Sequence, residues 1–378
     1  MATEGAVANA AAPLIRRGRV QVLVAYDVGL SVDLSRARQH ITDMTELARI
    51  QHKAFAPAYF QFDPPPLRVT QEFTPLSVAG RTTTPTLDVV IYDFGGVSVG
   101  YTIPFAGTFE ELVELSCALS GERAFAEDSR QRIEHLMAVI ESAVQRANVA
   151  ELYEDYMVFQ IEETEPKLRA EDLHTVHAQQ IARLLRSERD ALSEQELADA
   201  MANRVSFGAH DVALIDWNAA LLYDQEPQDV RFVLEFANLQ LLEMRFLDQR
   251  LDTALDRSYE MMSQPKSWRE LRMPGRARAE MRKVARMQVD GAILFERVSN
   301  ALKLLGDQYL ARVYRAASQR YRLAEWNANI LRKLETTGDI YQKLHDQSLG
   351  LRMEVLEWVI ILLIAFEIVL SLVDRIAG

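Results

Sequence analysis

The chain ends in LEWVIILLIAFEIVLSLV, Leu356 to Val373, and no other stretch restricts its folding so tightly. A run this apolar has to be taken out of water. As a helix it reaches about 27 Å at 1.5 Å per residue, close to the roughly 30 Å hydrocarbon core of a bilayer. Trp358 sits where an interfacial aromatic belongs, with Arg352 outside one end and Asp374 and Arg375 outside the other. The run therefore predicts a single transmembrane helix over 351–375 and a tail-anchored chain. Its bulk would lie on the cytoplasmic side of a bacterial inner membrane, or on the equivalent side of an organelle inner membrane. A helix buried inside a soluble oligomer is the competing reading.

Two carboxylates interrupt the run, Glu357 at its edge and Glu367 in its interior. An ionised acid in hydrocarbon costs about 2.5–3.5 kcal/mol even on a lenient insertion scale. No Lys or Arg lies within the run to pair with Glu367. The expectation is a neutral Glu367 hydrogen-bonded to the same helix of sister copies, making the protein a homo-oligomer. An ion or proton path is the alternative use of such an acid.

Upstream, apolar residues recur every seven positions. Val233, Gln240, Leu247, Ala254 and Met261 form one series, with Ala237, Met244 and Leu251 as its companions. A second series runs Leu302, Tyr309, Ala316, Leu323, Ile330, Thr337, Leu344 and Leu351, accompanied by Val313, Asn327, Leu334 and Tyr341. A seven-residue repeat keeps one seam facing a partner, so residues 166–350 are expected to form a long coiled coil or helical hairpin. An ordinary helical bundle uses the same stripe. Asn327 on the seam would fix register.

Between the two series, Pro265 and the Pro274–Gly275 pair break the pattern, placing a connection near 264–280. Around it lies a basic island: Lys266, Arg269, Arg272, Arg276, Arg278, Arg282, Lys283 and Arg286, against only Glu270 and Glu280. The whole chain has a net charge of -12, which argues against wholesale nucleic-acid binding and makes the island stand out. The island could meet RNA or ribosomal phosphates, with Trp268 available to stack, or anionic lipid headgroups. A solvated face that neutralises the protein's own acidic surface is the plainer alternative.

The first half mixes strands and helices. Residues 1–17 are Ala-rich and expected to be disordered. RVQVLVAY alternates as a strand and lacks the cleavage site of a secretory signal. TLDVVIYDF and VSVGYTIPF are strands about a Gly95–Gly96 turn, and DYMVFQIEE closes the set. DLSRARQHITDMTELARI has helical spacing, and TFEELVELSCAL starts a helix with a Thr108–Glu111 capping box. Glu127 to Arg146 supplies a further helix. The order β-α-β-β-α-β predicts an α+β, ferredoxin-like domain over 18–165.

Residues with catalytic potential do not form a familiar constellation. Cys117, the single cysteine, lies on an apolar helix, where a buried structural thiol is the expected role. His174 and His177 follow Glu171 by about one turn, a spacing common by chance, and no HExxH occurs. DFGG at Asp93–Gly96 lacks the glycine loop, lysine and catalytic loop of a kinase. No cofactor, metal or small-molecule substrate is implied.

The motif LEW-VI-x-LIAFE, made by Leu356, Glu357, Trp358, Ile360, Leu363, Ile364 and Glu367, resembles the closing motif of the required-for-meiotic-nuclear-division (RMD/RMND) family. WNAALLYD, at Trp217–Asp224, resembles that family's Trp-then-Leu-Tyr-Asp segment. The resemblance implies an α/β part, long helices and a terminal membrane helix, and in organelles a role supporting translation. It carries no catalytic residue. The combined expectation is a non-enzymatic, membrane-anchored homo-oligomeric scaffold or tether. An enzyme with an unrecognised site in the α+β domain and a channel-like assembly using Glu367 are the alternatives.

Overall fold

A computed structural model describes residues 13–45, 51–53, 64–263, 282, 285–286, 289, 291–293, 295–296 and 308–377. Its contacts divide into two compact units, Met1–Phe246 with Leu294–Asn327, and Leu247–Ile293 with Ala328–Gly378.

Unit 1 is organised by one nine-stranded mixed sheet. Its strands are β1 (Leu14–Asp27), β2 (Gln51–Lys53), β3 (Leu67–Glu72), β4 (Thr86–Ile91), β5 (Gly96–Thr108), β6 (Tyr153–Glu165), β7 (Arg204–Val205), β8 (Val212–Ile215) and β9 (Ala219–Tyr223). They lie in the order β7-β8-β9-β6-β1-β5-β4-β3-β2. β1 is central, antiparallel to both β5 and β6, and β6 pairs in parallel with β9. The sequence of β1 explains this placement. Val20, Val22, Val24 and Tyr26 point to one face and Leu23 and Ala25 to the other, and all six are buried. A strand apolar on both faces has to be covered on both.

On the first face lie α1 (Leu34–Thr45), α2 (Phe109–Ser120), α3 (Ala124–Ile140), α4 (Ala170–Thr175) and α5 (Ala178–Arg186). Tyr26 Oη donates to the Ala126 carbonyl at 3.0 Å, and Tyr101 Oη donates to Asp128 at 2.6 Å, locking α3 to the sheet. α2 begins with the full capping box: Glu111 N donates to Thr108 Oγ1 and Thr108 N donates to the Glu111 carboxylate. The short α6 (Glu194–Ala200) follows α5.

The second face is covered by the first part of α7 (Gln228–Ser263) and by α8 (Gln308–Arg320). Phe232 and Phe236 of α7 pack on Tyr92, and Leu239 fills the space over Gly96, where an added Cβ would sit 2.7 Å from its Cδ2. Tyr314 of α8 donates to Gln240 of α7 at 2.6 Å. This layer also buries polar groups, among them Gln21, Gln160, Glu235 and Asn238. Arg17 and Arg19 hold the buried Glu162 from the same region.

Unit 2 contains the rest of α7 and most of α9 (Leu323–Ala377). Lys333 of α9 lies 2.6 Å from both Asp248 and Asp252 of α7, one turn apart, while Leu251, Ala254, Ile330 and Thr337 are buried.

Two expectations are corrected. A ferredoxin-like sandwich does not describe this sheet. Strands β2 and β3 extend it on one side, and β7, β8 and β9 extend it on the other, beyond Pro166 where the composition reads as helical. VALI and AALLY, buried on both faces, are short apolar runs whose periodicity cannot separate strand from buried helix. The transmembrane helix is also overturned: among the described residues, no helix is long and apolar enough to cross a membrane. The apolar stretch is the end of the much longer α9. Glu357 and Glu367 both lie on that helix. The single-pass, tail-anchored placement on a bacterial or organelle inner membrane falls with that helix.

Candidate functional site

Unit 1 concentrates its charged chemistry at the β8–β9 turn. Asp216 N donates to the Ala219 carbonyl at 2.8 Å, closing the turn, and the Asp216 carboxylate is fully buried. Two arginines reach it. Arg320, the last residue of α8, donates through Nε to Oδ1 at 2.5 Å, and Arg186, the last residue of α5, places Nε 2.6 Å from Oδ2. The same two guanidiniums grip Asp199 of α6, Arg186 at 2.5 Å and Arg320 at 2.6 Å and 3.1 Å. The result is a ring of two acids and two arginines joining α5, α6, the β8–β9 turn and α8.

The electrostatics of the two acids differ. Hydrogen bonds from Arg320 first, and then from Arg186, hold half-exposed Asp199 down to about 2. Burial pushes Asp216 up, against the pull of Arg320 and Arg186, because desolvation penalises the charged form. Beneath the ring, Tyr156 Oη donates to the Asp216 carbonyl at 3.0 Å, and the Tyr156 and Tyr321 rings meet edge-on at 5.6 Å. Burial drives both phenols far above their ordinary range. Every charge in this ring already has an opposite partner. Its chemistry is cohesion between elements.

Other residue groups have structural roles. His177 stacks on Phe109 and its Nδ1 faces Gln180 at 3.0 Å, while His174 Nδ1 lies 3.1 Å from the Ala170 carbonyl. Among the described residues no three metal-ligating side chains converge. Cys117 is half-buried, and burial pushes its thiol up. The Gly95–Gly96 pair makes a turn closed by Tyr92 N donating to the Gly96 carbonyl at 2.9 Å. A cleft of about 390 Å³ opens between Ser31–Ser35 and Asp93, wide to solvent.

In unit 2 the notable surface is on α9. Nine consecutive apolar residues, Trp358 to Phe366, follow Glu357 and precede Glu367. Every described side chain over 357–368 is exposed, the large apolar ones from 47% at Val359 to 66% at Leu362. Successive residues step about 100° around a helix, so this surface is apolar on all sides. Glu357, Trp358 and Glu367 thus share one exposed segment. Of the basic island, Arg282 and Arg286 are exposed helical residues, whereas Lys266, Trp268, Arg269, Arg272, Arg276, Arg278 and Lys283 lie outside the described residues.

The ring was missed in the sequence. Asp216 and Arg320 are 104 positions apart, and nothing local links them. The available signal was a lone Asp inside the apolar run VALIDWNAALLY, which demands a buried cation.

The fold and ring define the class: a large mixed sheet with both faces covered by helices, its β8–β9 turn tied down by paired arginines. The chain belongs to the family described as "Uncharacterized protein MJ0711, N-terminal domain", whose model matches residues 17–229. It is 22% identical over 198 residues to "Uncharacterized protein MJ0711" of Methanocaldococcus jannaschii, an alignment covering 51% of this chain and 58% of that relative. The chain therefore spans somewhat more than half of that relative's length. No solved structure matches. These findings overturn the resemblance to the RMD/RMND family. WNAALLYD, which carried part of it, is the β8–β9 turn and strand β9, and the translation-linked expectation rested on that resemblance alone.

Proposed function

We propose that the chain is a self-assembling scaffold whose copies associate through residues 358–368 of α9. The observation that carries this reading is the all-round exposure of that apolar segment. Half-exposed Trp, Val, Ile, Leu and Phe side chains in such a run represent about 10 kcal/mol of burial free energy per copy. That is enough to offset much of the freedom lost on association, which costs about 4–15 kcal/mol. A pairwise helix contact buries one stripe of about 100°, so a surface apolar on every side calls for several neighbours. The assembly is accordingly three or more copies, with their terminal helices clustered.

The basic island, in the same unit as this segment, supplies a second contact in this reading. Its charge suits a phosphate-bearing partner such as RNA, with exposed Arg282 and Arg286 at its end. The first test is sedimentation of the purified full chain against a form ending at Glu354. The full chain should sediment as a multimer of three or more and the shortened form as a monomer. A full chain that remains monomeric at tens of micromolar overturns the proposal. So does a full chain that floats with phosphatidylcholine vesicles as single copies, because lipid would then be the occupant.

A further inference from the structure

We infer that the junction between α8 and α9 is an elbow with two states: the bent form of this structure, and a straight form in which α8 runs into the first turns of α9 as one helix. The observation is a conflict between what the sequence favours and what the backbone does. Around the junction the chain reads ARVYRAASQRYRLAEWNAN, with no Gly or Pro and many good helix formers. The seven-residue series Tyr309, Ala316, Leu323, Ile330 and Thr337 passes through it without a change of phase. A sequence of this kind specifies uninterrupted helix.

The helix nevertheless stops at Arg320 and resumes at Leu323. The break is made by Arg322, which adopts φ +53, the left-handed region that a side chain with Cβ disfavours. Ser187 has a similar φ, but there the chain leaves α5 for a loop. At Arg322 a new helix begins at the next residue, with Trp326 N donating to the Arg322 carbonyl at 3.1 Å. Returning this one residue to right-handed helical angles would join the two helices.

The bent form is held by the residues just before the break. Arg320 is fastened to Asp216 and Asp199, and Tyr321 is buried against Tyr156. A straight helix would instead place Arg320 in the companion seam, in series with Val313, Asn327 and Leu334. The opposing preferences are thus separable. Backbone conformation favours straight, and the ring around Asp216 favours bent. A residue strained in this manner persists only where its surroundings over-determine it, and here those surroundings are the ring around Asp216 and the buried Tyr321 and Leu323.

The test is a distance measurement in the full chain. Exposed Gln308 and Ala324 are changed to Cys in a Cys117→Ser background and spin-labelled. A continuous helix separates them by about 24 Å, and the bent form brings them closer. The otherwise unaltered chain should show the short distance. Asp199→Asn should add a minor population near 24 Å, and Arg320→Gln a major one. Adding Arg322→Gly, which relieves the left-handed strain, should reduce that population on the order of five-fold. Hydrogen exchange over 308–320 accompanies each variant. The inference is overturned if no variant populates the longer distance, if Arg322→Gly leaves its population unchanged, or if Arg320→Gln strips α8 of protection.

Discussion

Asp216→Asn should be among the most damaging single polar substitutions in unit 1. The carboxylate is fully buried, and its charge faces two guanidiniums at 2.5 Å and 2.6 Å. Asparagine keeps an acceptor for Trp217 N, which donates to Oδ1 at 2.8 Å, so the turn itself survives. What is lost is the charge that Arg186 and Arg320 were placed to meet. Breaking a buried pair by removing one partner costs about 3–5 kcal/mol. Both arginines keep Asp199, which lowers the expected cost to about 3 kcal/mol. The assay is urea unfolding followed by circular dichroism, with Asp199→Asn and the double variant completing a cycle. Because the two acids share both arginines, the cycle should show coupling of about 1 kcal/mol. A loss below about 0.5 kcal/mol for Asp216→Asn, with additive behaviour in the double variant, would refute the view that this ring holds α8 to the sheet.

Acid should act on the same ring with a definite sign. Asp199 is held down to about 2, so its contribution is full above about pH 4 and is lost as pH falls toward 2. After screening of a half-exposed group that contribution is about 1 kcal/mol, and Asp199→Asn should remove this part of the stability–pH slope. Gly95→Ala should destabilise by about 3 kcal/mol, because Gly95 has φ +103 and an added Cβ would sit 1.9 Å from the Gly29 carbonyl oxygen. Thr108→Ala removes half of the capping box of α2 and should cost about 1 kcal/mol in thermal or chemical unfolding.

Parts of this fold are legible in the residues, and the reasons differ by element. β1, β4 and β5 are dense in β-branched residues and separated by turn signals, so their strand character is local. The start of α2 is equally local, since Thr108 and Glu111 satisfy each other across three residues. Strands β8 and β9 are different. Their side chains are apolar without alternation, because the sheet is covered on both faces, and such runs look the same whether they become strand or buried helix. The extent of the sheet, and hence the departure from a four-stranded sandwich, followed from that ambiguity. The ring around Asp216 was illegible for another reason: its members come from four separate elements, and only the tertiary fold brings them together. The terminal run of α9 shows how far composition alone can lead. Its apolarity is evident in the residues, but what covers it is decided by its neighbours.

The most direct check on the account is the mass of the full-length particle in solution, measured by light scattering on a dilution series, beside Ile361→Glu and Leu362→Glu together. The unaltered chain should have the mass of three or more copies, and the doubly charged variant that of a single copy. Identical masses for the two proteins at every concentration would contradict it.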